Sequence, residues 1–155
     1  MKKVFIILAG IISSMLLTYF VYVSVITSSE PYEFLQPTDQ IVSIEIAKME
    51  DTSPVTVDLI MDAEILYILE PEEYQAFVDS IVALPGGRAG NDPPSGIGIY
   101  FVRITYKDGM IELIGDMNNG SISPDMDYDD DVYVFNIKAF LQFLSEFSEE
   151  VEIPE

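Results

Sequence analysis

Residues 96–115 read GIGIYFVRITYKDGMIELIG, and this stretch decides the fold. Two runs rich in β-branched and aromatic residues flank the dipeptide Asp108-Gly109. That dipeptide tolerates the positive φ that a two-residue type I′ turn needs at both central positions. With the turn placed there, Tyr106 is expected opposite Ile111, Thr105 opposite Glu112, Ile104 opposite Leu113 and Arg103 opposite Ile114. Val102, Ile104, Tyr106, Ile111 and Leu113 then share one face, and Arg103, Thr105, Lys107 and Glu112 the other. The pattern predicts a hairpin with one buried side and one wet side.

Working upstream, residues 40–49 carry Val42, Ile44 and Ile46 in alternation with Ser43 and Glu45, which predicts a first strand entered at Ile41. Residues 50–54, EDTSP, have turn chemistry. Val55, Val57, Leu59 and Met61 alternate with Thr56, Asp58 and Asp62, predicting a second strand antiparallel to the first. Ile60 interrupts that alternation and is assigned to an edge contact. Residues 63–69, AEILYIL, fit a third strand or an early start to the next helix. Strand is preferred because Pro71 suits a first helical position, and the residue before a proline avoids helical geometry. From Pro71 the period becomes helical, with Tyr74, Phe77, Val78, Ile81 and Leu84 on one stripe and Glu72 and Glu73 in the first turn. Pro85-Gly86-Gly87 ends this helix, and residues 88–95, RAGNDPPS, read as a surface loop.

Downstream of the hairpin, Asn118-Asn119-Gly120 marks a turn into a short strand through Ser121, Ile122 and Ser123. Residues 124–131, PDMDYDDD, form an acidic loop, and residues 132–135 a last strand. Asn136 is placed to cap a closing helix with an apolar stripe of Ile137, Phe140, Leu141, Leu144 and Phe147. The acidic tail after Ser148 is expected to fray.

At the other end, residues 4–26, VFIILAGIISSMLLTYFVYVSVI, hold 23 positions without a charge. As a helix they measure about 34 Å, enough to cross a hydrocarbon core of about 30 Å. Tyr19 and Tyr22 suit the outer interface, and Lys2 and Lys3 place the N-terminus inside. A cleaved signal peptide is the rival, but its apolar region is normally about 7–15 residues and ends at a small-residue site. Thr27-Ser28-Ser29 is a poor site, so an uncleaved anchor is preferred. Residues 1–27 are thus read as a membrane anchor, 28–39 as a proline-containing stalk, and 40–155 as the extracytoplasmic domain of a single-pass plasma-membrane protein.

Composition narrows the chemistry. The chain has no Cys, no His and no Trp. Disulfides, thiolate catalysis and cysteine-ligated zinc are excluded, and the usual general base near neutral pH is missing. All 27 acidic residues follow the apolar stretch, with 5 of the 7 basic ones, so 5 against 27 gives that part a formal charge of −22. Such a surface repels nucleic acid and anionic lipid headgroups and favours cationic partners or divalent cations. Many ordinary solvated proteins share an acid excess.

The run Asp125-Met126-Asp127-Tyr128-Asp129 places carboxylates at every second position, an arrangement that can supply oxygen ligands to a hard cation. Counted from Asp125, the sixth position is Asp130 where an EF-hand needs Gly, and the twelfth is Asn136 where it needs Glu. An EF-hand is excluded; Asp125, Asp127 and Asp129 are retained as candidate ligands of a weak Ca²⁺ site, beside the plainer reading of a solvated loop. No other cofactor is implied. The glycines of residues 86–92 follow a helix and lack the Gly-Lys-Ser/Thr ending of a phosphate-binding loop. They serve turning of the chain, with Arg88 assigned to ion pairing within the domain. Without His or Cys, only a Ser-Lys dyad or a carboxylate pair is left for catalysis, and no Ser-x-x-Lys signature is present.

These elements predict an α+β domain: an antiparallel sheet with two helices packed on one face, preceded by an N-terminal transmembrane helix. The Lys-Lys start, the Asp108-Gly109 hairpin and the Phe-rich last helix together resemble small single-span extracytoplasmic proteins of Gram-positive bacteria. The resemblance is one of layout, and it implies location rather than activity. Two functions are compatible with the sequence. One is a non-catalytic, membrane-anchored binding or sensing module that meets a basic envelope protein. The other is an anchored enzyme acting on an envelope polymer through carboxylates. A pocket uniting acids with raised pKa values favours the enzyme; an uncovered sheet edge or an apolar patch favours the binding module.

Overall fold

The computed structural model describes residues 31–50, 56–88, 97–131 and 133–153. In chain order these form β1 (Ile41–Lys48), α1 (Val57–Met61), β2 (Glu64–Ile68), α2 (Tyr74–Ala83), β3 (Gly86–Arg88), β4 (Tyr100–Tyr106), β5 (Ile111–Gly115), β6 (Asn119–Ile122), β7 (Tyr128–Asp131), β8 (Tyr133–Phe135) and α3 (Ile137–Leu144). The fold is α+β. Six strands pair antiparallel in the order β2-β1-β4-β5-β6-β7, while β3 and β8 form a separate two-stranded ribbon. Arg88, expected in a loop, is therefore a strand residue opposite Tyr133.

The central hairpin forms, with its register one residue away from expectation. Tyr106 N–H donates to Met110 O at 2.9 Å and Gly109 N–H to Tyr106 O at 3.0 Å, so the loop has three residues, Lys107 to Gly109. Gly109 takes φ 88°, the left-handed position that ends such a loop in a bulge. Ile104 then pairs with Glu112, Thr105 with Ile111 and Arg103 with Leu113. A one-residue slip exchanges the faces of a strand. Glu112, expected in water, lies on the same face as Ile104, and Leu113 on the same face as Arg103.

Neither face is wet at the centre of the sheet. On one, Ile44, Ile46, Val102, Ile104, Tyr106 and Ile114 pack with Phe77 and Ile81 of α2 and Phe140, Leu141 and Leu144 of α3. The two helices share this face and meet through Phe77 and Phe143, ring centroids 5.2 Å apart. On the other, Ala47, Met49, Phe101, Ile111, Leu113 and Ile122 enclose Ile60 of α1. That second core replaces the expected wet side. It exists because residues 57–61 are helical and not the expected strand: Thr56 caps the helix by accepting from Leu59 N–H at 3.2 Å, and Asp58 sits in the first turn. Ile60, far from an edge, is fully buried. Besides β4, β1 pairs with β2, which lies within the expected third strand.

Helical backbone begins at Pro71 as expected, first as a 3₁₀ turn over Pro71–Glu73 and then as α2 from Tyr74, with Glu73 accepting from Glu70 N–H at 2.8 Å. Asn136 caps α3 through Ala139 N–H at 3.1 Å. Ile137 lies outside the apolar stripe, exposed. The tail does not fray within the described residues: Val151 is buried in the main core, and the Tyr100 hydroxyl donates to Glu150 O at 3.0 Å and accepts from Glu152 N–H at 3.2 Å. Residues 31–39, read as spacer, are part of the domain, with Tyr32 in the core and Phe34 packed beside it. Among the described residues no helix is long and apolar enough to cross a membrane; the stretch 4–26 lies outside them.

Candidate functional site

Among the described residues, a concentrated polar group surrounds Glu112, which is 1% exposed. Strand β5 directs it into the main core, and a carboxylate there needs hydrogen bonds to offset its lost hydration. Tyr32 donates its hydroxyl to Oε1 at 2.6 Å, and Tyr106 donates its hydroxyl to Oε2. Leu35 N–H reaches both oxygens at 3.3 Å. Burial and the negative charge of Glu112 raise the Tyr106 pKa well above that of a free phenol. Around this centre, the Tyr32 ring meets Phe34, Tyr133 and Phe135 at 5.1, 5.0 and 5.3 Å. Gln36 adds a bond to Asp108 at 2.7 Å at the hairpin tip. Glu112 thus fastens the segment that enters the domain onto the sheet. The group is sealed, which suits a structural clasp.

On the opposite face, Arg103 is 7% exposed. Its Nη2 lies 2.6 Å from Glu45 Oε2, and its Nε donates to the same oxygen at 2.7 Å. Nη1 donates to Ile60 O at 3.0 Å and Met61 O at 3.3 Å. These are the last carbonyls of α1, where a cation complements the helix dipole. Arg103 and Ile60 together pin α1 to the sheet.

The β5–β6 turn holds a third polar group. Asp116 N–H donates to Tyr100 O at 3.0 Å and Met117 N–H to Ile97 O at 3.1 Å, tying the turn to the chain before β4. Burial pushes the Asp116 carboxyl up to about 6 from 3.8, with backbone hydrogen bonds acting the other way. Its Oδ1 is buried with no hydrogen-bond partner among the described residues. Gly98, at φ 99°, is required beside it: a Cβ there would lie 1.5 Å from Asp116 Oδ1.

The candidate Ca²⁺ ligands sit at the β6–β7 connection. Asp125 and Asp127 occupy a tight loop in which Met126 N–H donates to Ser123 O and Ser123 N–H to Asp127 O, both at 2.9 Å. Met126 takes φ 66°, the position that Gly109 fills in the central hairpin. Asp129 belongs to β7, opposite Ser121. All three carboxylates are exposed, and among the described residues no group of three or more acids is arranged to hold a metal. Tyr32, Arg103 and Glu112 are the polar groups that organise the fold, and the sequence marks none of them as such. The one available signal was the scarcity of cations, which makes an Arg inside a strand notable.

Three of the five cations that follow the apolar stretch have contacts within the domain. Arg103 is spent as described, Lys107 Nζ donates to Asp39 O at 2.6 Å, and Lys48 Nζ stands 5.5 Å from the centre of the Tyr100 ring. No family model, curated protein or solved structure matches this chain.

Proposed function

We propose that this chain is a non-catalytic, membrane-tethered binding or sensing module whose partner presents a basic surface on the outer side of the plasma membrane. The observation that carries the reading is the disposition of charge. The part of the chain after the apolar stretch has 5 basic and 27 acidic residues, and Arg103, Lys48 and Lys107 are engaged within the domain. A field of one sign speeds association with the opposite sign and repels nucleic acid and anionic lipid. Tethering rests on the 23 uncharged residues behind Lys2 and Lys3. Because Tyr32 is already inside the core, residues 27–31 give the connection a reach of about 18 Å at most. The domain is thereby held close to the bilayer.

Two measurements test the reading. Protease added to intact spheroplasts is expected to remove the acidic domain; a protected domain, or a mature N-terminus near Glu30, overturns the tether. A basic partner captured from membranes is expected to bind with an on-rate that falls as ionic strength rises, the charge being screened over about 8–10 Å. A salt-independent on-rate removes the electrostatic basis. Turnover of a wall polymer by the purified chain, abolished by a carboxylate substitution that leaves the fold intact, replaces the reading with the enzyme.

A further inference from the structure

The two ends of the main sheet are finished differently. Strand β7 ends one side and carries the exposed Asp129 within it, and a charge on an edge strand discourages further pairing. Strand β2 ends the other side among the described residues and carries no such protection at its centre. Its register against β1 shifts between Ile46 and Ala47, so that Ile65 lies opposite Ala47 and Ile68 opposite Glu45. Leu66 and Tyr67 contribute to the main core, Tyr67 lying 5.6 Å from the Phe147 ring. The shift leaves Ile65 and Ile68 on the α1 side of the sheet, 44% and 55% exposed. Met61, 39% exposed, ends α1 on the same side, where Arg103 grips both its carbonyl and Glu45.

We propose that the open edge of β2 is a docking strand that accepts an extended segment of a partner protein, with alternating apolar side chains bracketed by lysine or arginine. The inference deepens the binding reading above and rests on it. An edge strand offers unpaired N–H and C=O groups to an incoming strand, and alternate side chains supply specificity. Here the side chains to be met are Ile65 and Ile68, two isoleucines that fold formation leaves in water. The occupant's charge follows from the flanks. Asp62 and Glu64 stand at one end of the strand and Glu70 and Glu72 at the other, all exposed. An apolar centre between acids is complemented by an apolar centre between bases. A second copy of this chain brings the same acids to the same edge, together with the like charge of its whole domain, and is disfavoured on that ground.

The test uses the full-length chain in mild detergent and a fluorescent synthetic peptide of alternating valine and threonine with a lysine pair at each end. A second peptide of equal charge, with prolines in place of the valines, cannot add as a strand. The strand-forming peptide is expected to bind at least about tenfold tighter than the proline peptide. It should protect the amides of Glu64–Ile68 from exchange, leave those of Tyr128–Asp131 unchanged, and lose affinity as salt is raised. Ile68→Lys is expected to weaken it about tenfold or more, and Ile68→Thr, which keeps β-propensity, by less. Unchanged near-ultraviolet circular dichroism shows that the variants are folded. Equal binding of the two peptides, protection at β7 and not at β2, or indifference to Ile68→Lys overturns the proposal. Self-association that grows with salt and disappears in Ile68→Lys also overturns it, by assigning the edge to a second copy. A basic membrane partner that still binds Ile68→Lys at full strength sinks the docking strand alone and leaves the binding reading standing.

Discussion

Substitutions at Glu112 probe the clasp that joins residues 31–36 to the sheet. Glu112→Leu keeps roughly the volume and removes the acceptor. The hydroxyls of Tyr32 and Tyr106 then stay in a site where Tyr32 is 5% and Tyr106 1% exposed, and Leu35 N–H loses its acceptor. A buried donor left without a partner costs about 1–3 kcal/mol, so the expected loss is about 3–5 kcal/mol. Glu112→Gln keeps one oxygen, and a tyrosine hydroxyl can turn to accept from the new amide, so its cost should be nearer 1–2 kcal/mol. Tyr32→Phe removes one donor, and in a double-mutant cycle with Glu112→Gln the two changes should couple by about 1 kcal/mol. Urea unfolding of the full chain, followed by near-ultraviolet tyrosine circular dichroism, measures all four forms.

The same site sets an alkaline limit. The pKa of Tyr106 is raised in the folded chain, so the unfolded phenol ionises first. Its contribution is full below about pH 10 and is lost as pH rises beyond that, an effect Tyr106→Phe should blunt. A cost for Glu112→Leu no greater than that of a change at exposed Glu146, or additivity of Tyr32→Phe and Glu112→Gln, would rule out the clasp.

Other outcomes follow from single groups. Arg103→Leu should cost about 3–5 kcal/mol, because it strands Glu45 and frees the end of α1, and the added change Glu45→Leu should recover part of that loss; denaturation midpoints decide it. For Asp116 the folded pKa of about 6 lies above 3.8, so its contribution is full below pH 3.8 and falls as pH rises through 6. Screening at the part of the group that faces solvent reduces this to about 1–2 kcal/mol, and Asp116→Asn should abolish that slope between pH 4 and 6 in thermal unfolding. Met126→Gly should stabilise by about 0.5–1 kcal/mol by relieving positive φ at an exposed side chain, whereas Gly109→Ala should cost about 1 kcal/mol; both are read as shifts in unfolding midpoint.

Local signals in the sequence were reliable where a backbone group must find a partner nearby. Pro71 and Asn136 mark their helix starts because an N-terminal turn has orphan N–H groups: proline has none to leave unpaired, and the Asn136 side chain accepts one. Pro85 and Gly86 stop α2 for equally local reasons. Residues 55–62 failed because their apolar positions alternate well enough for a strand, while Thr56 and Ile60 carry the helical solution. Thr56 is a weak mark beside Pro54, and Ile60 makes sense only once a second core exists to receive it. The tail and residues 31–39 look polar and proline-broken, yet Val151 and Tyr32 each place one side chain in the core. A single buried side chain gives no periodicity to detect.

The displaced hairpin register has a more general cause. Asp108-Gly109 serves a two-residue loop and a three-residue loop equally well, since both end on a glycine with positive φ. What normally separates them is hydrophobic bookkeeping, because a slip of one residue carries apolar side chains into water. Here that check is silent. Ile104 and Leu113 are both fully buried on opposite faces, so the apolar residues of β5 are sheltered in either register. Only the polar residues distinguish the alternatives, and their signal is non-local. Arg103 lies opposite Leu113 and reaches Glu45 and the carbonyls of α1, while Glu112 lies opposite Ile104 and meets Tyr32 and Tyr106. Glu112 and Arg103 carry opposite charges into opposite cores, each met by groups from distant parts of the chain. The hairpin's register is thus tied to α1 on one face and to residues 31–36 on the other. Exchanging those faces would carry Glu112 away from both tyrosines while Arg103 still faced α1, leaving the carboxylate to find acceptable partners on the wrong side of the sheet.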